Sequence, residues 1–241
     1  ANFIGRMSGK VVEAFVAKAD LLAASPAYSD QSGVDWKTAA ASAAKVLNHI
    51  GGVDGMDPTG WTWYCNVDDI EKLSPTESPA EILWRGERAK SLSLEEDNFP
   101  PTLYGNGRIN PTQNLVDAFP MLNGYPVSHL SGEYDENLPY ANRDPRLEAY
   151  ILYNGCKAGN TNKEIFTAAD GTTNDALNKV VGRSTRTGYY LRKLLRQDIS
   201  LDPNAKADQY HYTPRIRYTE IFWAYAEAAN QAYGPQDKGG N

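Results

Sequence analysis

The stretch RIRYTEIFWAYAEAANQAY, Arg215 to Tyr233, decides the fold class, because its apolar pattern fits a helix. Tyr218, Ile221, Phe222, Tyr225, Ala229 and Ala232 recur at three-and-four spacing, which places them on one stripe of an α-helix. Pro214 offers a fixed φ for the first turn, and Gly234-Pro235 ends the ladder. Ala224, Ala226, Ala228 and Ala229 let a second helix approach closely, as in the helix pairs of repeat proteins. The tail after the stop is too short to supply that second helix. The sequence therefore predicts a chain that ends in the middle of a helical architecture.

Working outward, Ser8 to Ala24 has helical spacing, with Val11, Phe15, Ala19 and Leu22 on one side, Glu13 and Asp20 on the other, and Ser25-Pro26 as the stop. A second helix is expected from Asp35 to Ile50, capped by Asp35 and ended by Gly51-Gly52. Its apolar stripe is Trp36, Ala40, Ala43, Leu47 and Ile50. Two helices joined by a short turn make an antiparallel hairpin of tetratricopeptide type, whose consensus letters are only loosely met. The expected class is mostly α. Residues 1–52 form a helical hairpin, residues 53–212 an irregular and short-strand region, and residues 213–241 a scaffold helix.

The middle region carries the remaining signals. Trp61-Thr62-Trp63-Tyr64 follows a turn-forming run, and in an alternating strand Trp61 and Trp63 would share one face with Tyr64 opposite. A stacking surface for a flat ligand and a buried strand both remain open there. EILWR, Glu81 to Arg85, reads as a short strand or a helix start, and Asn98 to Arg108 as an ordered loop. A short helix is expected after Asn110, with Asn110 as cap, Pro111 at its first position and Gln113 completing a capping box. Glu148 to Tyr153, stopped by Asn154-Gly155, reads as a strand, and Thr187 to Gln197 as another.

Composition narrows the function classes. A net charge of −6 with no Lys/Arg-rich run argues against a nucleic-acid partner. Fifteen Tyr and five Trp are more than packing alone usually uses, and both residues give a surface an apolar body with a polar tip. Asp54, Asp57, Asp68, Asp69 and Glu71 lack the spacing of a dedicated calcium loop, so no metal and no cofactor are expected. Cys65 and Cys156 form no CxxC motif, which leaves a bridge between them open. His49, His129 and His211 are scattered, and no nucleophile elbow, phosphate loop or HExxH is present.

Four stretches in one order carry a family resemblance: Pro111 to Val127, Asn142 to Gly155, Thr187 to Leu195, and Arg217 to Asn230. Together they resemble the SusD/RagB family of Bacteroidetes nutrient-binding proteins, and the Ser8 helix and AEILWRG segment extend the likeness upstream. The resemblance implies a tetratricopeptide-like helical scaffold with an inserted ligand-binding region. It implies a lipid-anchored protein on the extracellular face of the outer membrane, which caps a TonB-dependent, SusC-like transporter and holds oligosaccharides or polysaccharides, or in some members peptides, without chemistry on them. Arg143, Asp144, Pro145, Arg146, Arg217, Glu220 and Glu227 match positions that are scaffold in that family. A lipobox cysteine near the start and the residues beyond the last helix are not present, so the chain reads as a fragment of a longer protein.

Sugars present flat apolar faces ringed by hydroxyls, which aromatic rings and Asn or Arg side chains recognise together. Trp61, Trp63, Tyr64, Tyr104, Asn106 and Arg108 lie in irregular segments between scaffold elements and are the candidate ligand residues. A few stacked rings at about 1 kcal/mol each offset little of the cost of association, which predicts weak binding suited to capture and handover. A glycoside hydrolase needs a facing pair of carboxylates, and no motif nominates one. A helical module that docks a partner protein is the other class the pattern allows.

Overall fold

The computed structural model describes residues 6–62 and 78–235. In chain order the helices are α1 (Gly9–Ala24), α2 (Ser29–Ser32), α3 (Trp36–Leu47), α4 (Ser93–Asn98), α5 (Gln113–Ala118), α6 (Pro145–Tyr150) and α7 (Tyr218–Tyr233). The strands are β1 (Ile82–Arg85), β2 (Ala89–Ser91), β3 (Ile151–Leu152), β4 (Lys157–Ala158), β5 (Lys163–Glu164), β6 (Tyr190–Leu191), β7 (Gln209–His211) and β8 (Pro214–Arg217). They form two compact units. One comprises residues 6–62, 78–88 and 212–235, and the other residues 89–211.

The first unit is helical. Ser8 caps α1 by accepting from Val11 N, and Asp35 caps α3 by accepting from Thr38 N and Oγ1 at 2.8 and 2.7 Å. Gly51 and Gly52 end the second helix with φ of +89° and +80°, the left-handed backbone that glycine adopts without strain. The α3 stripe is the expected one: Ala40, Ala43 and Leu47 are buried, and Trp36 and Ile50 flank the core. That of α1 is not. Val11, Ala14, Ala17 and Ala24 are buried, whereas Phe15 is 42% and Leu22 60% exposed. The physical reason is close packing: α1 meets both α3 and α7, and small side chains at the seam bring the backbones together where bulky ones would hold them apart.

The α7 helix departs from expectation at its start. Residues 214–217 are extended and pair antiparallel with β1 in the register Ile82↔Arg217, Trp84↔Ile216 and Arg85↔Pro214. Proline lacks an N–H and is accommodated at the first position of an edge strand, so Pro214 opens β8 rather than the helix. Tyr218, Ile221, Ala224 and Ala228 are the buried residues of α7, which packs on α3 and α1. Its partner among the described residues is therefore the N-terminal hairpin. Burying Val46, Leu47, Ile216 and Ile221 contributes about 1.5–3 kcal/mol for each side chain.

The second unit is built on irregular chain. Phe99, Leu103, Leu152, Cys156, Ala158, Ile165, Tyr190, Leu195, Ile199 and Leu201 share its main core. Two-stranded antiparallel pairs, β2 with β7, β3 with β6 and β4 with β5, tie it together. Three local expectations are corrected here. Residues 145–150 are helix, not strand, because Asp144 is an N-cap that accepts from Arg146 N at 2.9 Å and Pro145 occupies the first helical position. The strand at 187–197 is confined to Tyr190–Leu191, after which Leu194 turns the chain at φ +71°. The cap of α5 is Thr112, whose hydroxyl accepts from Leu115 N, while Asn110 bonds Gly107 O and Arg186 N through its side chain. Among the described residues, no helix is long and apolar enough to cross a membrane.

Candidate functional site

The turn at residues 100–108 presents an aromatic ring to solvent from a well-bonded backbone. Pro101–Leu103 is a 3-10 turn whose Leu103 side chain is buried in the core of the second unit. Tyr104 follows with φ +66°, so its ring is turned away from that core and is 46% exposed. The chain then folds back along α4. Asn106 N donates to Glu96 O, Gly107 N to Phe99 O and Arg108 N to Asp97 O, at 2.9, 3.0 and 3.0 Å. A Cβ on Gly105 would lie 2.1 Å from Phe99 O, and one on Gly107, at φ +54°, would lie 2.2 Å from Arg183 O. Only glycine fits these two contacts, which hold the turn rigid.

Support comes from residues far along the chain. Asp175, fully buried, accepts from Thr102 N at 2.7 Å, and burial raises its carboxyl above the usual range. Tyr190 donates its hydroxyl proton to Asp175 O and accepts from Thr185 N, both at 2.9 Å. Lys163 Nζ stands 5.5 Å from the centre of the Tyr104 ring and 3.5 Å from Thr102 O. Arg183 Nη2 donates to Gly105 O at 2.9 Å. Arg108 is exposed and pairs with Asp97 at 3.2 Å, while Asn106 is half-buried.

The turn thus contains three of the six candidate ligand residues. Trp61 belongs to the helical unit, where Gly60–Thr62 is a 3-10 turn, so of the two readings left open at Trp61 the strand does not form there. The contacts that hold this turn are long-range: a Cβ on Gly60 would lie 2.5 Å from Glu81 Oε2, and Gly60 O accepts from Arg217 Nη2. Trp63 and Tyr64 lie outside the described residues, as do Cys65, Asp68, Asp69 and Glu71. Asp57 closes a turn of its own by accepting from Thr59 N and Oγ1. Cys156 is buried, accepts from Tyr153 N, and burial pushes its thiol up to about 11.

The residues matched to scaffold positions make dense local bonds. Arg143 is buried and donates to Val116 O, Phe119 O and Pro139 O at 2.7, 2.8 and 2.9 Å, tying off the end of α5. Asp144 grips the Arg146 guanidinium, which holds its carboxyl below the usual range. Arg217 Nε donates to the buried Glu81 at 2.8 Å, Glu220 pairs with Lys18, and Glu227 is exposed.

Sequence reasoning missed Lys163, Arg183 and Asp175, which lie 59 or more positions beyond Tyr104 in isolated polar contexts with no motif around them. It also missed Trp223, which is 64% exposed on α7 beside a shallow cleft of about 450 Å³ lined by Arg215, Thr219 and Glu220.

The model of the SusD family matches residues 83–238. Among solved structures, a SusD-like carbohydrate binding protein from Bacteroides fragilis NCTC 9343 is 22% identical with a TM-score of 0.65, over 95% of this chain and 41% of its own. A second SusD-like protein from the same organism is 23% identical with a TM-score of 0.67, over 96% of this chain and 45% of its own. The chain therefore spans less than half the length of these two structures. No curated protein matches it.

Proposed function

The chain belongs to the SusD family, and on that premise we propose that it binds glycans at the bacterial surface and passes them, unaltered, to a TonB-dependent outer-membrane transporter. The observation that carries the reading is the Tyr104 turn. Its ring is half-exposed on a backbone in which each N–H from Leu103 to Arg108 is hydrogen-bonded, with Asn106 and Arg108 beside it. A rigid aromatic body with polar neighbours suits the alternating apolar face and hydroxyl edge of a sugar. Trp61, Trp63 and Tyr64 are proposed as glycan contacts in their own right, independent of that turn. The carboxylates buried in the same unit serve packing: Glu95 accepts from Arg196 N and His211, and Asp175 from Thr102 N. That assignment favours capture over hydrolysis.

Titration of intrinsic fluorescence against a panel of plant, host and microbial oligosaccharides, with peptides included, tests the reading. Saturable binding of a sugar class, no release of reducing ends, and loss of binding in Tyr104→Ala are the expected results. Saturation by peptides alone would move the chain to the peptide-binding reading.

A second role rests on a separate observation. Glu220, Trp223 and Glu227 lie at three-and-four spacing on the exposed side of α7. We propose that this stripe docks the transporter. Co-purification with the transporter is expected to fail for Trp223→Asp while glycan binding is kept.

A further inference from the structure

The protein has a net charge of −6 and no contiguous basic run, yet residues 157–196 carry eight Lys or Arg against three Asp or Glu. That local excess is not spread evenly in space. Two of its cations, Lys163 and Arg183, converge on the turn that presents Tyr104. Both are exposed, and both touch the turn through carbonyl oxygens: Lys163 at Thr102 O and Arg183 at Gly105 O. Carbonyls orient a cation without neutralising it.

The acids around this turn are already engaged. Asp97 pairs with Arg108 at 3.2 Å, and Glu96 with Lys206 at 3.1 Å. Asp175 feels the Lys163 charge but is fully buried and accepts from the Thr102 amide, and its burial favours the uncharged form. Lys163 therefore stands beside the Tyr104 ring and Arg183 at the adjoining Gly105 carbonyl, neither in a salt bridge with a carboxylate among the described residues. A neutral glycan uses them only as hydrogen-bond donors and leaves their charge uncompensated. A sugar bearing carboxylate or sulfate would set its ring on Tyr104 and its anionic group against Lys163 or Arg183, a charge-assisted contact.

Resting on the glycan-binding reading, we propose that the Tyr104 turn selects an anionic glycan, one carrying uronate or sulfate groups, through Lys163 and Arg183. The attraction is local, so the acidic net charge of the whole chain does not oppose it beyond a Debye length of about 8 Å at physiological salt.

The test compares matched ligands on the full chain: oligogalacturonates against their methyl esters, and sulfated carrageenan oligosaccharides against their desulfated forms, at 50 and 500 mM NaCl. The expected result is a preference of about tenfold for one anionic member over its neutral partner, reduced to about threefold or less at high salt. Lys163→Gln, which keeps an apolar stem over the ring, should lower the preference several-fold, and Lys163→Arg should restore it. Equal binding of charged and neutral partners would overturn the proposal and leave the glycan-binding reading standing. Binding of no glycan would overturn both. A preference untouched by Lys163→Gln, or equal affinity for a single-stranded oligonucleotide, would show that the selectivity does not come from this site.

Discussion

Arg217 Nε and Glu81 Oε1 meet at 2.8 Å across 136 positions of sequence, and Glu81 is fully buried where they meet. The contact joins the end of β8 to the start of β1 at the point where α7 begins. Glu81 Oε1 also accepts from Thr219 N, and Glu81 O from Tyr218 N. One carboxylate thus fixes both the strand pair and the first turn of the helix.

Removing one partner of a buried pair leaves the other charge uncompensated. Arg217→Ala is expected to lower the stability of the helical unit by about 3 kcal/mol. Urea unfolding checks it, and a loss below about 0.5 kcal/mol would show that the pair contributes nothing beyond a surface ion pair.

Arg143 is expected to resist conservative replacement. Lysine cannot reach Val116 O, Phe119 O and Pro139 O together, since its single ammonium lacks the fork of the guanidinium. Arg143→Lys should cost about 1.5–3 kcal/mol with no change in glycan affinity. Equal stability of the two proteins would contradict the assignment.

The pair of His211 with Glu95 predicts a pH dependence. Its Nε2 lies 3.0 Å from the buried Glu95 carboxylate, which raises the imidazole above its ordinary value against the opposing effects of burial and of Arg196. A raised folded value means that the stabilisation is fully present below the unfolded value of about 6.5 and is lost as pH rises through the folded one. Thermal melts of the wild type should fall over that interval relative to His211→Gln. Parallel curves would refute the coupling.

Gly107 offers a test of rigidity in the candidate site. Alanine there meets both the φ of +54° and the 2.2 Å approach to Arg183 O, so Gly107→Ala should cost at least about 2 kcal/mol and abolish ligand binding together. Retained affinity would show that the turn is not the binding element.

Much of the scaffold was legible because it rests on local rules. The cap Asp35, the stop at Gly51-Gly52 and the stripe of α3 follow from residue type and spacing alone. The choice of face on α1 did not, because Phe15 and Leu22 look more apolar than Ala14 and Ala17 until two neighbouring helices demand close approach. Asp144-Pro145 contained a helix start that the β-like run AYILY obscured. In the candidate site, Tyr104, Asn106 and Arg108 were legible as part of an ordered loop from Asn98 to Arg108. Lys163, Arg183 and Asp175 were not, since contacts between residues so distant in the chain exist only in the folded unit.

The most direct test of the account is the affinity of the chain and of Tyr104→Ala for the oligosaccharide that binds best, measured by calorimetry with unfolding monitored alongside. The account predicts unchanged stability, because the side chain is half-exposed, and a loss of affinity of about tenfold or more, as removal of a stacked ring implies. Undiminished affinity in a folded Tyr104→Ala protein would contradict the central claim.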